Sequence, residues 1–549
     1  MAPHLVTDRE RASVRSFLLE LDQPVAQDGS PAELLEQLRE RVPEPGAALG
    51  WLLAHEPNPT LREYAMLLLF TAAKDPSVLR RVRRPILKAA GPVLLRAFHD
   101  TQVDDEVKFM VGPALSLCGI EISDDAYSRA FRDHEGTSRR MALEAFRSKA
   151  AVPEAVEAWL DGIELPDAKA FAHASELGRL AVEANPPLGA MLLVTLAALA
   201  HERGIEANGV EVLRAAAETR SGAARWLLRV AGELPTMGAL GGLARRLAVD
   251  LATAGVDESV LETGAFDQGH VSSVDGAGSR QVVLLFRRSD HPEDRDCFTA
   301  LVNDGLGLKD AFCVFREGAE VLQAFGAVPE ISLAPCDVAL ARAIIADALA
   351  IHAELGRPVP GRFLLYRHFL GRDPLLPARR NPDLSAYALD KVRIGPELVA
   401  RSRTLAHRPD CRYLYCASDR AYQFVARQLE LASHEDAFLV LNDREMQSFI
   451  EEVVLEERPR LLQRLAMNLE VEARAGRAKR ASNKRLAHLW LGLQHEVVPF
   501  ADVPFVVELS HIGFDAVLSN VLQGYTTQAE ANAAGMAGGE DEDEDHIPY

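Results

Sequence analysis

The sequence predicts a mainly α-helical protein, and three observations carry that expectation. Aromatic residues make up only 6% of the 549 residues, so the Ala- and Leu-rich remainder suits packed helices better than sheets, which draw on β-branched and aromatic side chains. Pro and Gly punctuate the first half, at Pro43-Glu44-Pro45-Gly46, Pro57, Pro76, Gly91-Pro92, Pro153, Pro166, Pro186-Pro187 and Pro235, and cut it into pieces of helix length. Strand texture is concentrated in one stretch that begins at Gly264. The chain exceeds the roughly 100 to 200 residues of one domain, and two or three folding units are expected.

After an N-terminal segment, residues 1–29, a helical block is expected over 30–263. Within it three stretches share a turn-forming or acidic start, a basic residue and an apolar helix. Glu56-Pro57-Asn58-Pro59-Thr60-Leu61-Arg62 leads to Ala65, Leu68 and Leu69; Asp104-Asp105-Glu106-Val107-Lys108 leads to Val111 and Leu115; Asp133-His134-Glu135-Gly136-Thr137-Ser138-Arg139 leads to Ala142 and Phe146. This pattern resembles the HEAT class of helical repeats. The basic positions Arg62, Lys108 and Arg139 lie 46 and 31 residues apart, the first spacing within the roughly 40 to 47 residues of a HEAT unit and the second short of it. The resemblance implies an N-terminal α-solenoid-like array of helical hairpins, and curved surfaces of that kind hold other macromolecules. The longest uncharged run, Ala184 to Ala200, falls short of the roughly 20 residues of a membrane span and is expected as a buried helix.

A small α+β module is expected as an insertion over 264–330. Arg280 to Phe286 has the β-branched and aromatic density of a buried strand, and the preceding Val274-Asp275-Gly276-Ala277-Gly278 carries the Asp-Gly signal of a tight turn, which predicts a β-hairpin. Cys297 to Val302 reads as a further strand, and after the turn at Asn303-Asp304-Gly305 the run Leu308 to Phe315 fits strand or helix.

Residues 331–526 read as an irregular helical C-terminal domain. Pro335 suits the first turn of a helix with Val338, Ile344, Ile345, Ala348 and Leu349 on one face, and Gly356 to Pro360 ends it. The Pro- and Arg-rich stretch 371–409 is expected to be ordered but irregular. Ser433-x-x-Asp436 and Asn442-x-x-Glu445 have the capping-box pattern. Pro459 can open and Gly476 close the helix bearing Leu461, Leu462, Leu465 and Leu469, and a last helix is expected near Val507 to Leu522. Residues 527–549 lack apolar periodicity and contain the run Glu540 to Asp545, so a disordered acidic tail is expected.

The net charge is −20, and the tail run supplies six of the negative charges. Such a field repels polyanions, so nucleic acid is disfavoured as a partner and no membrane association is expected. Cys118, Cys297, Cys313, Cys336, Cys411 and Cys416 are scattered as free thiols of a reducing compartment would be. With no basic region leading into an apolar core at the N-terminus, the protein is expected to be cytoplasmic.

Candidate chemistry is sparse, and no cofactor or metal is expected. Gly276-Ala277-Gly278-Ser279-Arg280 lacks the third glycine of a dinucleotide fingerprint and the Gly-Lys pair of a phosphate loop. Asp275, Asp304 and Asp310 lie at strand edges where a fold could assemble an acid/base pair, and they are the candidates for an enzymatic alternative. His407, Cys411 and Cys416 form a series without the second pair of a zinc site. Two basic clusters stand out in an acidic chain: Arg80, Arg81, Arg83 and Arg84 with Lys88, and Arg474, Arg477, Lys479, Arg480, Lys484 and Arg485. They predict binding of an acidic protein surface, of the chain's own tail, or, as the weaker alternative, of nucleic acid. Together these features predict a scaffold that binds a protein partner without catalysis.

Overall fold

The computed structural model describes residues 6–21, 30–42, 44–75, 78, 80–148, 156, 160, 168–260, 263–289, 291–327, 331–431 and 441–531. Helix dominates, beside one small five-stranded antiparallel sheet. The chain divides into two compact units, Met1–Ser148 and Lys149–Tyr549. The division falls inside the segment 30–263, so the helices after 168 belong with the sheet and the C-terminal helices.

The first unit contains α1 (Asp8–Leu21), α2 (Pro31–Arg41), α3 (Gly46–His55), α4 (Pro59–Lys74), α5 (Arg80–His99), α6 (Asp105–Leu117), α7 (Asp124–Ala130) and α8 (His134–Ser148). Local chemistry sets several starts. Ser30 and Glu33 close a capping box on α2, and Asn58 caps α4 with Pro59 in its first turn. Leu49, Leu53, Leu69, Phe98, Val111 and Leu115 are fully buried in one core. Consecutive helices pack, and so do alternate ones, α3 on α5 and α4 on α6. Gly46 makes the α3–α5 approach possible, because a Cβ there would lie 2.1 Å from the Ile86 carbonyl oxygen. Lys108 is completely buried and its Nζ donates to the Ala130 carbonyl at 2.6 Å.

In the second unit α9 (Ala168–Ala184), α10 (Pro186–Glu202), α11 (Glu206–Glu218), α12 (Gly222–Glu233) and α13 (Gly238–Thr253) repeat that manner of packing, with α10 on α12 and α11 on α13. The uncharged run forms α10, buried on nearly every side as expected. The sheet follows: β1 (Ala265–Ser272), β2 (Ser279–Arg287), β3 (Arg295–Asn303), β4 (Gly307–Val314) and β5 (Leu333–Pro335), in the order β4-β3-β2-β1-β5. The expected hairpin is β1–β2, although the residue with positive φ is Gly278 and not Gly276. Of Leu308 to Phe315, the residues up to Val314 resolve as strand, and β5 adds an edge beyond residue 330. Alternation sorts the strand residues. Val283, Leu285 and Cys297 face α14 (Gly318–Gly326), whereas Phe286 and Phe298 meet Phe369 with ring centroids 5.0 and 5.9 Å apart.

Pro335 ends β5 and does not open a helix; Asp337 caps α15 (Val338–Leu355) and Gly356 closes it in the left-handed conformation. A short helix, α16 (Phe363–Tyr366), precedes the irregular stretch, which runs through successive single 3₁₀ turns. Then come α17 (Asp419–Leu431), α18 (Asp443–Glu452), α19 (Arg458–Arg474), α20 (Ala481–Gln494) and α21 (Pro504–Leu522). Asn442 and Glu445 form the expected capping box, Pro459 sits in the first turn of α19, and Gly476 follows its end with positive φ. Among the described residues α21 alone has the length and apolar composition of a membrane span, and its Phe505, Val506, Leu509, Phe514 and Val517 are buried in the C-terminal helical core. Of the tail expected over 527–549, residues 528–531 instead form a helical turn braced by Thr526 and Glu530, and 532–549 lie outside the described residues. The acidic run Glu540 to Asp545 and the Ser433/Asp436 capping pattern lie outside the described residues.

Two outcomes test this packing. Gly46→Ala should destabilise the first unit by about 1 to 3 kcal/mol through overpacking, more than Gly50→Ala, whose added Cβ finds its nearest neighbour at 3.2 Å; denaturant midpoints of the two variants check the order. His368 is buried beside Phe369 and its pKa is pushed down to about 3 by that burial. The folded chain therefore keeps it neutral while the unfolded chain protonates it below about 6.5, so stability is lost as pH falls from there toward 3. Lowering the pH from about 6.5 to 5 should cost about 2 kcal/mol through this group. His368→Phe should flatten that part of the stability profile measured by urea titration.

Candidate functional site

The acids singled out in the sequence are held in structural roles. Asp304 is buried against Arg464 of α19, with Nε–Oδ2 2.5 Å and Nη2–Oδ1 3.1 Å, and the third guanidinium nitrogen of Arg464 donates to the Gly276 carbonyl at 3.0 Å. Asp275 organises the hairpin turn, its Oδ1 accepting the Ser279 N–H at 2.7 Å. The polypeptide around it raises its carboxyl above the ordinary value by desolvation, against the pull of the Ser279 and Ala277 N–H groups and of Arg464. Asp310 stands exposed on β4, its Oδ1 accepting the N–H of Ala311 at 2.8 Å. The fold thus brings Asp275 and Asp304 to Arg464 at one end of the sheet and leaves Asp310 apart.

Sequence reasoning missed the row of polar residues along α19. Asn468, one turn beyond Arg464, accepts the Val274 N–H at 2.7 Å and donates to the Asp410 carbonyl at 2.6 Å. Glu470 accepts from Arg380 at 2.5 Å and from the Asp383 N–H at 3.1 Å. Glu472 accepts from Arg477 at 2.6 and 3.0 Å and from Asn483 at 2.7 Å. Burial alone would raise the Glu472 carboxyl, but these donors hold it below the usual carboxylate range. Near this row Arg280 of β2 is only 5% exposed and its pKa is pushed down to about 10 by burial, with Arg380 lowering it further and Glu470 and Asp347 opposing. The signal that could have revealed the row is the placing of Arg464 and Asn468 four residues apart, next to Leu461, Leu465 and Leu469 of the same apolar face.

A cleft of about 740 Å³ lies between the segment 379–384, α19 and α20. Leu384, Leu462, Ala466 and Trp490 give it an apolar floor, and Arg379, Arg380 and Arg458 supply positive charge with no carboxylate among the lining residues. Arg380 Nη1 and Arg458 Nε are buried there without hydrogen-bond partners.

The predicted basic clusters divide by role. Arg83 donates to the Asp75 carbonyl at 2.9 Å, whereas Arg80, Arg81 and Arg84 are exposed with Lys88 around an open hollow on α5. Arg477 is committed to Glu472, and Arg474 reaches Glu470 at 3.8 Å. Lys479, Arg480, Lys484 and Arg485 are exposed at the start of α20, and none of them forms an ion pair among the described residues. The His407, Cys411, Cys416 series is dispersed: His407 pairs with Glu508 at 2.7 Å, burial pushes the Cys411 thiol up, and Cys416 contacts Ser418. Among the described residues no three His, Cys, Asp or Glu side chains gather as metal ligands would, and all six cysteines are free thiols. No family model, curated protein or solved structure matches this chain.

If Asn468 joins α19 to the sheet as described, Asn468→Leu leaves the Val274 N–H and the Asp410 carbonyl unpaired and should cost about 2 to 5 kcal/mol. Faster hydrogen exchange at the Val274 amide, alongside a lowered denaturation midpoint, is the expected outcome.

Proposed function

We propose that this protein is a non-catalytic scaffold that holds the acidic surface of a protein partner in the cytoplasm. The carrying observation is the group Lys479, Arg480, Lys484 and Arg485, four exposed cations without carboxylate partners among the described residues, in a chain of net charge −20. Cations at the start of α20 oppose the helix dipole, which favours anions at an N-terminus, so local stability does not account for them. An anionic partner does, because it meets the side chains and the dipole at once. The exposed Arg80, Arg81, Arg84 and Lys88 at the start of α5 repeat the same arrangement on the first unit.

The packing of alternate helices, α3 on α5, α4 on α6, α10 on α12 and α11 on α13, supports an α-solenoid-like construction in both units. That Asp304 is bound by Arg464, Asp275 caps a turn and Asp310 stands apart supports the reading without catalysis at these acids. Six free thiols agree with the cytoplasmic assignment.

Replacing Lys479, Arg480, Lys484 and Arg485 by Glu in the full chain should abolish recovery of a stoichiometric acidic protein in affinity capture at moderate salt after nuclease treatment, with the helical circular dichroism unchanged. Wild-type capture should weaken steeply as salt rises. Equal recovery by the reversed variant would refute the proposal, as would co-elution that nuclease removes.

A further inference from the structure

We propose that the arginine-rimmed cleft between residues 379–384, α19 and α20 is the docking site of this chain's own acidic run, Glu540 to Asp545, with Ile547, Pro548 and Tyr549 on its apolar floor. The inference is independent of the partner surface at Lys479 to Arg485, none of which lines the cleft.

Charge is the first argument. Arg379, Arg380 and Arg458 line the cleft with no carboxylate among its lining residues, although each also pairs with an acid behind the lining, Arg379 with Asp347 and Glu354, Arg380 with Glu470 and Arg458 with Glu496. Arg379 is 44% exposed and Arg458 22%, so an incoming run of carboxylates can add charge-assisted hydrogen bonds at their accessible edges. Shape and polarity are the second. A purely ionic ligand would leave Leu462, Leu384 and Trp490 uncovered, whereas a peptide that carries acids followed by Ile-Pro-Tyr matches both the rim and the floor.

Reach is the third argument. Ala531, the last described residue, packs on the core of the C-terminal helices, and Gln528 lines a small cavity with Arg460, Leu461 and Arg464 of α19. Leu462 and Gln463 of the same helix line the cleft, so the chain departs beside the helix whose other side forms the proposed site. A helix with its side chains is about 10 to 12 Å across. The nine residues from Ala531 to Glu540 span up to about 30 Å when extended, which suffices to pass around it.

The test uses the full-length chain and a fluorescent peptide of residues 538–549. A variant in which Glu540 to Asp545 are changed to the corresponding amides should bind the peptide about ten-fold or more tightly than the wild-type chain, whose own tail competes at high effective concentration. Adding Arg379→Glu and Gln463→Glu to that variant should remove the binding, and adding Lys484→Glu and Arg485→Glu in their place should leave most of it. Arg379 is half-exposed but pairs with Asp347 and Glu354, so a denaturation midpoint and circular dichroism check the fold of that variant, and Gln463→Glu alone, which breaks no ion pair, should still weaken the binding several-fold. Equal peptide affinity for the wild-type and amide chains would overturn the proposal. Binding that follows Lys484 and Arg485, and not Arg379 and Gln463, would also overturn it. Either result leaves the partner surface to its own experiment, which reads recovery of another protein and not of this peptide.

Discussion

The arrangement of the second unit depends on the polar row along α19. Arg464, Asn468, Glu470 and Glu472 lie within nine residues, and each fixes a different neighbour: the two turns at the end of the sheet, the strand connection at Val274 with the loop at Asp410, the segment at Arg380 and Asp383, and the start of α20 through Arg477 and Asn483. Buried polar groups penalise any arrangement that leaves them unpaired, while apolar contacts tolerate small slides. A helix packed only by Leu461, Leu465 and Leu469 could rotate or shift at modest cost. With four polar side chains that must each find a partner, α19 has one rotation and one axial position. Replacement of such ion pairs by apolar groups is often neutral in stability, so their contribution here is chiefly to geometry.

That constraint also decides what the acids can do. A general acid or base needs a carboxyl whose oxygens are open to a substrate, and both oxygens of Asp304 are taken by the Arg464 guanidinium. Arg280 presents the opposite case. Its pKa, pushed down to about 10, still lies about three units above neutrality, so a full positive charge persists inside the junction of β2, α15 and α19. Asp347 and Glu470 offset it through the local field, and both are themselves tied to the 379–384 segment through Arg379 and Arg380. The segment that borders the cleft is thereby anchored by buried charge, although its backbone has little regular structure.

The sequence made some of this legible because the signals are local. The β-hairpin follows from the continuous β-branched and aromatic density of Val282 to Phe286 beside an Asp-Gly turn, and Asn442, Pro459, Gly356 and Gly476 mark helix ends by chemistry that acts within one turn. What depends on distant partners was not legible. Leu333 to Pro335 is too short to announce a strand, and its proline is tolerated because β5 is an edge of the sheet. Asp304 and Asp310 look equivalent as turn acids, and only a guanidinium 160 positions away in sequence distinguishes them. The division at Ser148 separates helices of similar composition on both sides, so no change of texture marks it.

The distribution of charge is what would let an acidic chain take the acidic ligands proposed for it. At physiological ionic strength the field of exposed charges decays over about 8 Å, so the net charge governs distant encounters while contact is governed by the nearest few groups. The cations at the starts of α5 and α20 add to the dipoles of those helices within that range. The arginines of the cleft lie against apolar walls where screening is weaker, but each is shared with an acid behind the lining, so an acid there gains less from net charge and more from the floor it covers. Two kinds of cationic site with different exposure therefore coexist on one acidic protein. The exposed kind should exchange readily with salt, and the recessed kind should select for ligands that can also cover its apolar floor.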